Sequence, residues 1–439
     1  MAQLVNRLWP TRGGAWSRAA LVLGLFVVAL AGAGGSAGEA DRPGLGGDRT
    51  APAGERPAIG GDSLGAGPRR VAPKDGRRPA GVAGEATARA GIEQLLERRA
   101  RAVLAKDERA FLATIDREHR AFVRQQTEHF ERYVEIDEPL PLPKKVLSVR
   151  HHRNGFYKAK LDTGFGADAA RVWIFRPVDG RWVHTEPQEQ DLGERSTRHT
   201  AHFALRYYAW DDDVIDRVAE LAEDAHEHVT GVLHWQPADK TTIYLVPTFG
   251  TWPGVGTGGQ FTGTRDAFYA TSLDTALLAA DELSQEDQVF WSLSRGYAYL
   301  VHNLKVNIGS IPRWLSDGLA EAVAFDPEIR DHRLAAAVAT RLFSLDELNR
   351  ISHGREELKL QPWELAAAHD QWIGAVLFLV DRFGLERFWR YCQDYAGSGS
   401  LADAAQRVYG ISFEQLDREW QEWAHEAYGD EPELHRRSA

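Results

Sequence analysis

The residues best equipped for chemistry sit in two short stretches. Asp317 and Glu321 bring carboxylates to the run Ile311-Pro312-Arg313-Trp314-Leu315-Ser316-Asp317-Gly318-Leu319-Ala320-Glu321. An earlier run, 289–300, carries Ser294, Arg295, Tyr297 and Tyr299, with His302 just beyond it. Carboxylates and imidazoles hold metals or move protons, and a serine next to a histidine can act as a nucleophile. Spacing narrows the choice. Ser294 and His302 are eight residues apart, about 12 Å along one helix, too far for a dyad. His302 with Asp317 and Glu321 could form a displaced metal site; the competing expectation is a histidine satisfied by hydrogen bonds near a helix end. His226 and His228 are two apart on a helix, so their rings diverge. His199 and His202 flank a strand and match no metal pattern, and His369 receives no role. The glycine-rich segment 254–264 (GVGTGGQFTGT) lacks the Gly-Lys-Ser/Thr ending of a phosphate loop and reads as a turn and edge-strand region. No His-Glu-x-x-His occurs in the chain.

From residue 284 onward the pattern is nearly all helical. Ser284 with Asp287 supplies a capping start for the first stretch, and Pro312 suits the first turn of the second. The second stretch is similar to the P-R-W-L-S-E-G-L-A-E signature of the peptidase MA-like family, a bacterial branch of the gluzincin zinc peptidases. The similarity extends over 197–427: a strand–helix–strand opening, Gly231 to Trp235, Ser344 to Leu348, a helix ending at Gly384, and Tyr409-Gly410-Ile411-Ser412 with Trp420 and Trp423. It implies a preceding helix with two zinc-binding histidines one turn apart, a glutamate base between them, and a third ligand at the position of Asp317. Counting back nineteen positions from Asp317 reaches Ala298, and four more reach Ser294. The motif slot therefore reads Ser294-Arg295-Gly296-Tyr297-Ala298.

That slot cannot support the family's chemistry. Serine is a poor zinc ligand, alanine offers none, and a guanidinium cannot act as the base. A catalytic zinc needs three protein ligands; at most Asp317 survives. No catalytic residue, metal ligand or cofactor is expected. Ser294, Arg295, Ala298, Asp317 and Glu321 are read as a degenerate cleft, with Tyr297 and Tyr299 as core or cleft-wall residues. Across it Arg295 and Asp317 could pair, the cation replacing the charge of the metal. The competing arrangement has Arg295 in solvent and Asp317 capping its helix.

The rest of the chain sets the context. Arg7, Arg12 and Arg18 precede an apolar run from Ala19 to Ala33 that ends in small residues. This is the plan of a secretory signal (1–33) and is shorter than the roughly 20 residues of a spanning helix. Membrane attachment is expected only through this segment if it is uncut. Residues 34–85, with 14 Gly and 6 Pro, read as a disordered linker. The lone Cys392 permits no internal disulfide. The signal carries +3 and the linker +1, which leaves −15 of the net −11 on residues 86–439 and argues against a nucleic-acid partner. Between 86 and 190, three helical stretches, the last at about 117–133, precede Pro139, Pro141 and Pro143. Strand-like runs follow at 145–151, 155–161, 171–176 and 181–185, with Asp179-Gly180 as a hairpin turn. This order resembles an NTF2-like cone.

The expected fold class is therefore α+β: an NTF2-like cone, then a mostly helical gluzincin-like peptidase domain (197–427) with a small N-terminal sheet, and a tail (428–439). The expected location is extracytoplasmic, secreted or in the cell envelope. The function implied is a non-catalytic pseudopeptidase that binds an extended peptide or an envelope protein. Two alternatives stand beside it: a hydrolase using a displaced or non-zinc site, and a purely structural envelope protein.

Overall fold

The computed structural model describes residues 84–135, 145–162, 171–246, 267–271, 285–353 and 359–429. The signal, the linker up to residue 83, the prolines at 139–143, the glycine-rich segment, Ser284 and the last residues of the tail lie outside them; Glu85, expected to end the linker, begins the first helix. The described residues fall within one compact unit and form an α+β fold.

Three helices open it: α1 (Glu85–Leu104), α2 (Glu108–Leu112) and α3 (Arg120–Glu135). The strands β1 (Lys145–His151), β2 (Tyr157–Asp162), β3 (Arg171–Val178) and β4 (Arg181–Thr185) follow as an antiparallel meander. Helix α1 lays Ala88, Ile92, Leu95 and Leu96 on the sheet against Val146, Ala159, Leu161 and Phe175. The turn between β3 and β4 holds Asp179 and Gly180 at φ 50° and 75°, both left-handed as a tight hairpin demands.

A second sheet has the order β5-β6-β7-β8. Its strands are β5 (Arg195–His199), β6 (Phe203–Tyr208), β7 (Thr241–Val246) and β8 (Ala267–Thr271). Strand β5 is antiparallel to β6, whereas β6, β7 and β8 run parallel. Helix α4 (Ile215–Leu233) makes the crossover from β6 to β7, burying Val218, Leu221, Ala222, Ala225 and Val229 at helical spacing. Trp210 is fully buried and joins Leu192 and Tyr208 with Ile174 of β3 and Phe156 just before β2, so a small apolar cluster ties the two sheets together.

The remaining helices are α5 (Gln285–Val306), α6 (Arg313–Ala324), α7 (Pro327–Thr340), α8 (Leu345–Ser352), α9 (Pro362–Phe383), α10 (Leu385–Ser398), α11 (Leu401–Ala404) and α12 (Phe413–Tyr428). Helix α6 runs through their middle. Only Arg313, Asp317 and Glu321 interrupt its buried surface, and they recur every four residues as one polar stripe. On another side α6 meets α9 at backbone distance: a Cβ on Gly318 would stand 2.3 Å from the Trp372 carbonyl oxygen. Gly318→Ala must therefore push the two helices apart. We expect it to cost about 3 kcal/mol, the upper part of the overpacking range, seen as a lowered urea midpoint. A midpoint equal to wild type would show that the helices separate freely.

Candidate functional site

Helix α5 meets the polar stripe of α6 with Trp291, Arg295 and Tyr299, which are also four residues apart. The two helices pair their side chains in antiparallel order. Arg295 Nε donates to Glu321 Oε1 at 2.5 Å, and the Tyr299 hydroxyl donates to Asp317 Oδ1. Arg313 donates to the other Asp317 oxygen at 3.3 Å. The Arg295 guanidinium also lies 4.9 Å from the Tyr299 ring and 5.7 Å from the Trp291 ring. With 11% of the Arg295 side chain and 19% of Glu321 exposed, the ion pair is largely shielded from water. Burial alone would lower the Arg295 pKa, but Glu321, Tyr299 and Asp317 outweigh it and hold the guanidinium charged. Burial, with the Asp317 charge, raises the Tyr299 pKa well above its usual value, so this phenol is a proton-bearing donor.

The expected Arg295–Asp317 pair is thus corrected to Arg295–Glu321, with Tyr299 on Asp317. The reason is register: Tyr299 lies across from Asp317, and four residues earlier Arg295 lies across from Glu321. Ser294 and Ala298 are fully buried beside this row, and Ser294 Oγ has no hydrogen-bond partner. Gly296 sits against the sheet, where a Cβ would come within 2.4 Å of the Phe268 ring of β8.

His302 does not join Asp317 and Glu321. It lies farther along α5, fully buried, with its ring 5.1 Å from Trp389 and 6.0 Å from Phe388. Neither ring nitrogen has a hydrogen-bond partner, which also corrects the expectation of a satisfied helix-end histidine. Burial pushes its pKa down to about 3. Among the described residues, no three His, Cys, Asp or Glu side chains gather so as to hold a metal ion. The residues in the motif slot do not fit a zinc ion, because Ser294 and Ala298 offer no imidazole or carboxylate and Arg295 is a cation.

No family model matches this chain, and no curated protein matches it.

A second cluster escaped the sequence reading. The His202 ring stacks on His226 at 3.7 Å, while Glu223 takes its Nδ1 at 2.6 Å and its backbone N–H at 2.9 Å. His226 Nδ1 in turn shares a 2.9 Å hydrogen bond with the Tyr297 hydroxyl. Burial lowers the His226 pKa, and the neighbouring His202 lowers it further against the opposing Glu223. His228 points elsewhere, to the Val323 carbonyl at 2.7 Å. The histidines of α4 thus fasten that helix to β6, α5 and α6. His226 and His228 diverge as their spacing requires, but their partners come from β6, α5 and α6, and nothing local to α4 announces them. His369 packs on Trp372 at 4.3 Å, and His199 is exposed.

Proposed function

We propose that the chain is an exported, non-catalytic protein of gluzincin-like peptidase type, preceded by an NTF2-like unit, that binds an extended peptide or an envelope protein without cutting it. The observation that carries this reading is the Arg295–Glu321 pair. The slot that would hold a general base holds a guanidinium, and that cation is bound to a carboxylate of the next helix at 2.5 Å. A fixed positive charge there repels a divalent cation and cannot accept a proton from water. The contact of Gly296 with Phe268 supports the peptide part of the reading, because β8 ends the described strand order beside this helix. An edge strand next to a cleft can hold an extended chain by backbone pairing.

The test uses the full chain, incubated with excess zinc, desalted and assayed for metal content and for hydrolysis of a mixed peptide library. The expected result is substoichiometric zinc with no cleavage. One tightly held zinc per chain, or metal-dependent cleavage, would overturn the reading.

A further inference from the structure

The stacked histidines at the entry to β6 do more than fasten α4. His202 and His226 lie face to face, 3.7 Å between ring centres and 10° between ring planes. Each imidazole can take up one positive charge, and two charges this close repel strongly unless a counter-ion sits on each. Glu223 commits both its oxygens to His202, one to the ring Nδ1 and one to the backbone N–H. His226 instead shares a hydrogen bond with the Tyr297 hydroxyl. The titratable groups that face His226 are thus His202 from the entry to β6, Glu223 from its own helix and Tyr297 from α5, and Gln236 beyond α4 reaches it with a neutral amide. Burial, with the Glu223 charge, raises the Tyr297 pKa, so that hydroxyl keeps its proton and supplies no second negative charge.

The two rings differ in freedom. Only 7% of His226 is exposed, whereas 46% of the His202 side chain reaches water. If both rings are charged, His202 is the one that can leave. The turn it belongs to is held at this point from two sides. Glu223 ties it to α4. The Thr241 N–H, on the His202 carbonyl, and the Lys240 ammonium, 2.5 Å from the Thr200 carbonyl, tie it to the start of β7. Strand β5, just before this turn, has no buried residue and pairs only with β6 among the described strands. We propose that His202 and His226 form an acid-operated latch, stacked and closed while at most one ring is charged, which opens the turn between β5 and β6 when the second ring takes up a proton. Burial first, and the neighbouring His202 next, hold the His226 pKa below its ordinary 6.5. A folded-state value below the unfolded one makes the latch complete above pH 6.5 and weakens it as the pH falls. This device is independent of what the cleft between α5 and α6 binds.

The experiment uses the full chain labelled with ¹³C and ¹⁵N at histidine, with H202F and H226Q to assign the two rings. In wild type the nuclear Overhauser contact between the rings is expected at pH 7.5 and absent at pH 5.0. Its loss should follow the titration of His226, and the His202 amide should exchange at least tenfold faster once corrected for intrinsic rate. H202F removes the second charge and should raise the His226 midpoint by at least half a unit. Glu223→Gln keeps the hydrogen-bonding shape without the counter-charge, so it should move the loss of the ring contact toward neutral pH; it also serves if H202F does not fold. A ring contact that survives the titration of His226 would overturn the proposal. So would an unchanged midpoint in folded H202F, an unchanged opening pH in E223Q, or loss of the contact only when every folded signal disappears together.

Discussion

Arg295→Ala should lower the unfolding free energy by about 3 kcal/mol, the usual scale for breaking a shielded ion pair from one side. The loss arises mainly from what is left behind. Glu321 has 19% of its side chain exposed, and its Oε2 is already buried without a hydrogen-bond partner, so removing the guanidinium leaves a carboxylate in a poor environment. Glu321→Ala should cost a similar amount by stranding Arg295. Arg295→Met with Glu321→Leu removes both charges while keeping much of the volume. That double variant is expected to recover most of the loss, because well-packed apolar replacements of shielded pairs are often neutral or stabilising. Urea unfolding of the four proteins provides the comparison. Unchanged stability in R295A would refute the view that this pair holds α5 to α6.

Acidification should reveal His302. Its folded pKa, about 3, lies below the ordinary 6.5, so between these values the unfolded chain binds a proton that the folded chain refuses. The contribution of His302 to stability is therefore complete above pH 6.5 and declines as pH falls toward 3. The slope is roughly 1.4 kcal/mol per pH unit, or about 3 kcal/mol lost by pH 4.5. His302→Phe keeps an aromatic ring beside Trp389 and cannot take up the proton. It should stay within about 1.5 kcal/mol of wild type at pH 7.5 and exceed it clearly at pH 4.5. His184, His119, His226 and His152, the last at about 4, are lowered by burial in the same direction. Both proteins will therefore lose stability in acid, and the readout is the difference between them. Parallel pH profiles would show that His302 finds a solvating partner in solution.

What the sequence determined is the part that local chemistry dictates. The absence of His-Glu-x-x-His, the guanidinium at 295 and the alanine at 298 are facts of composition at fixed spacing, and they rule out the usual zinc set whatever the packing. Helix α4, with its strong apolar face, and the Asp179-Gly180 hairpin were legible because period and turn chemistry act over a few residues. Strand β5 was not, since all five of its residues are exposed and polar and show no alternation; pairing with β6 alone makes it a strand. The third helix begins at Arg120 rather than near 117.

Tertiary structure decided the partners. The sequence expectation set Arg295 against Asp317, but the antiparallel packing of α5 and α6 puts Tyr299 there and Arg295 opposite Glu321, a choice of partner that no spacing rule contains. The same holds for His202, which meets His226 only because β6 lies against α4, and for His302, whose ring nitrogens go unsatisfied only because Phe388 and Trp389 close over them. Residue types fix which interactions a side chain can make, and the packing of distant elements selects which of them it does make.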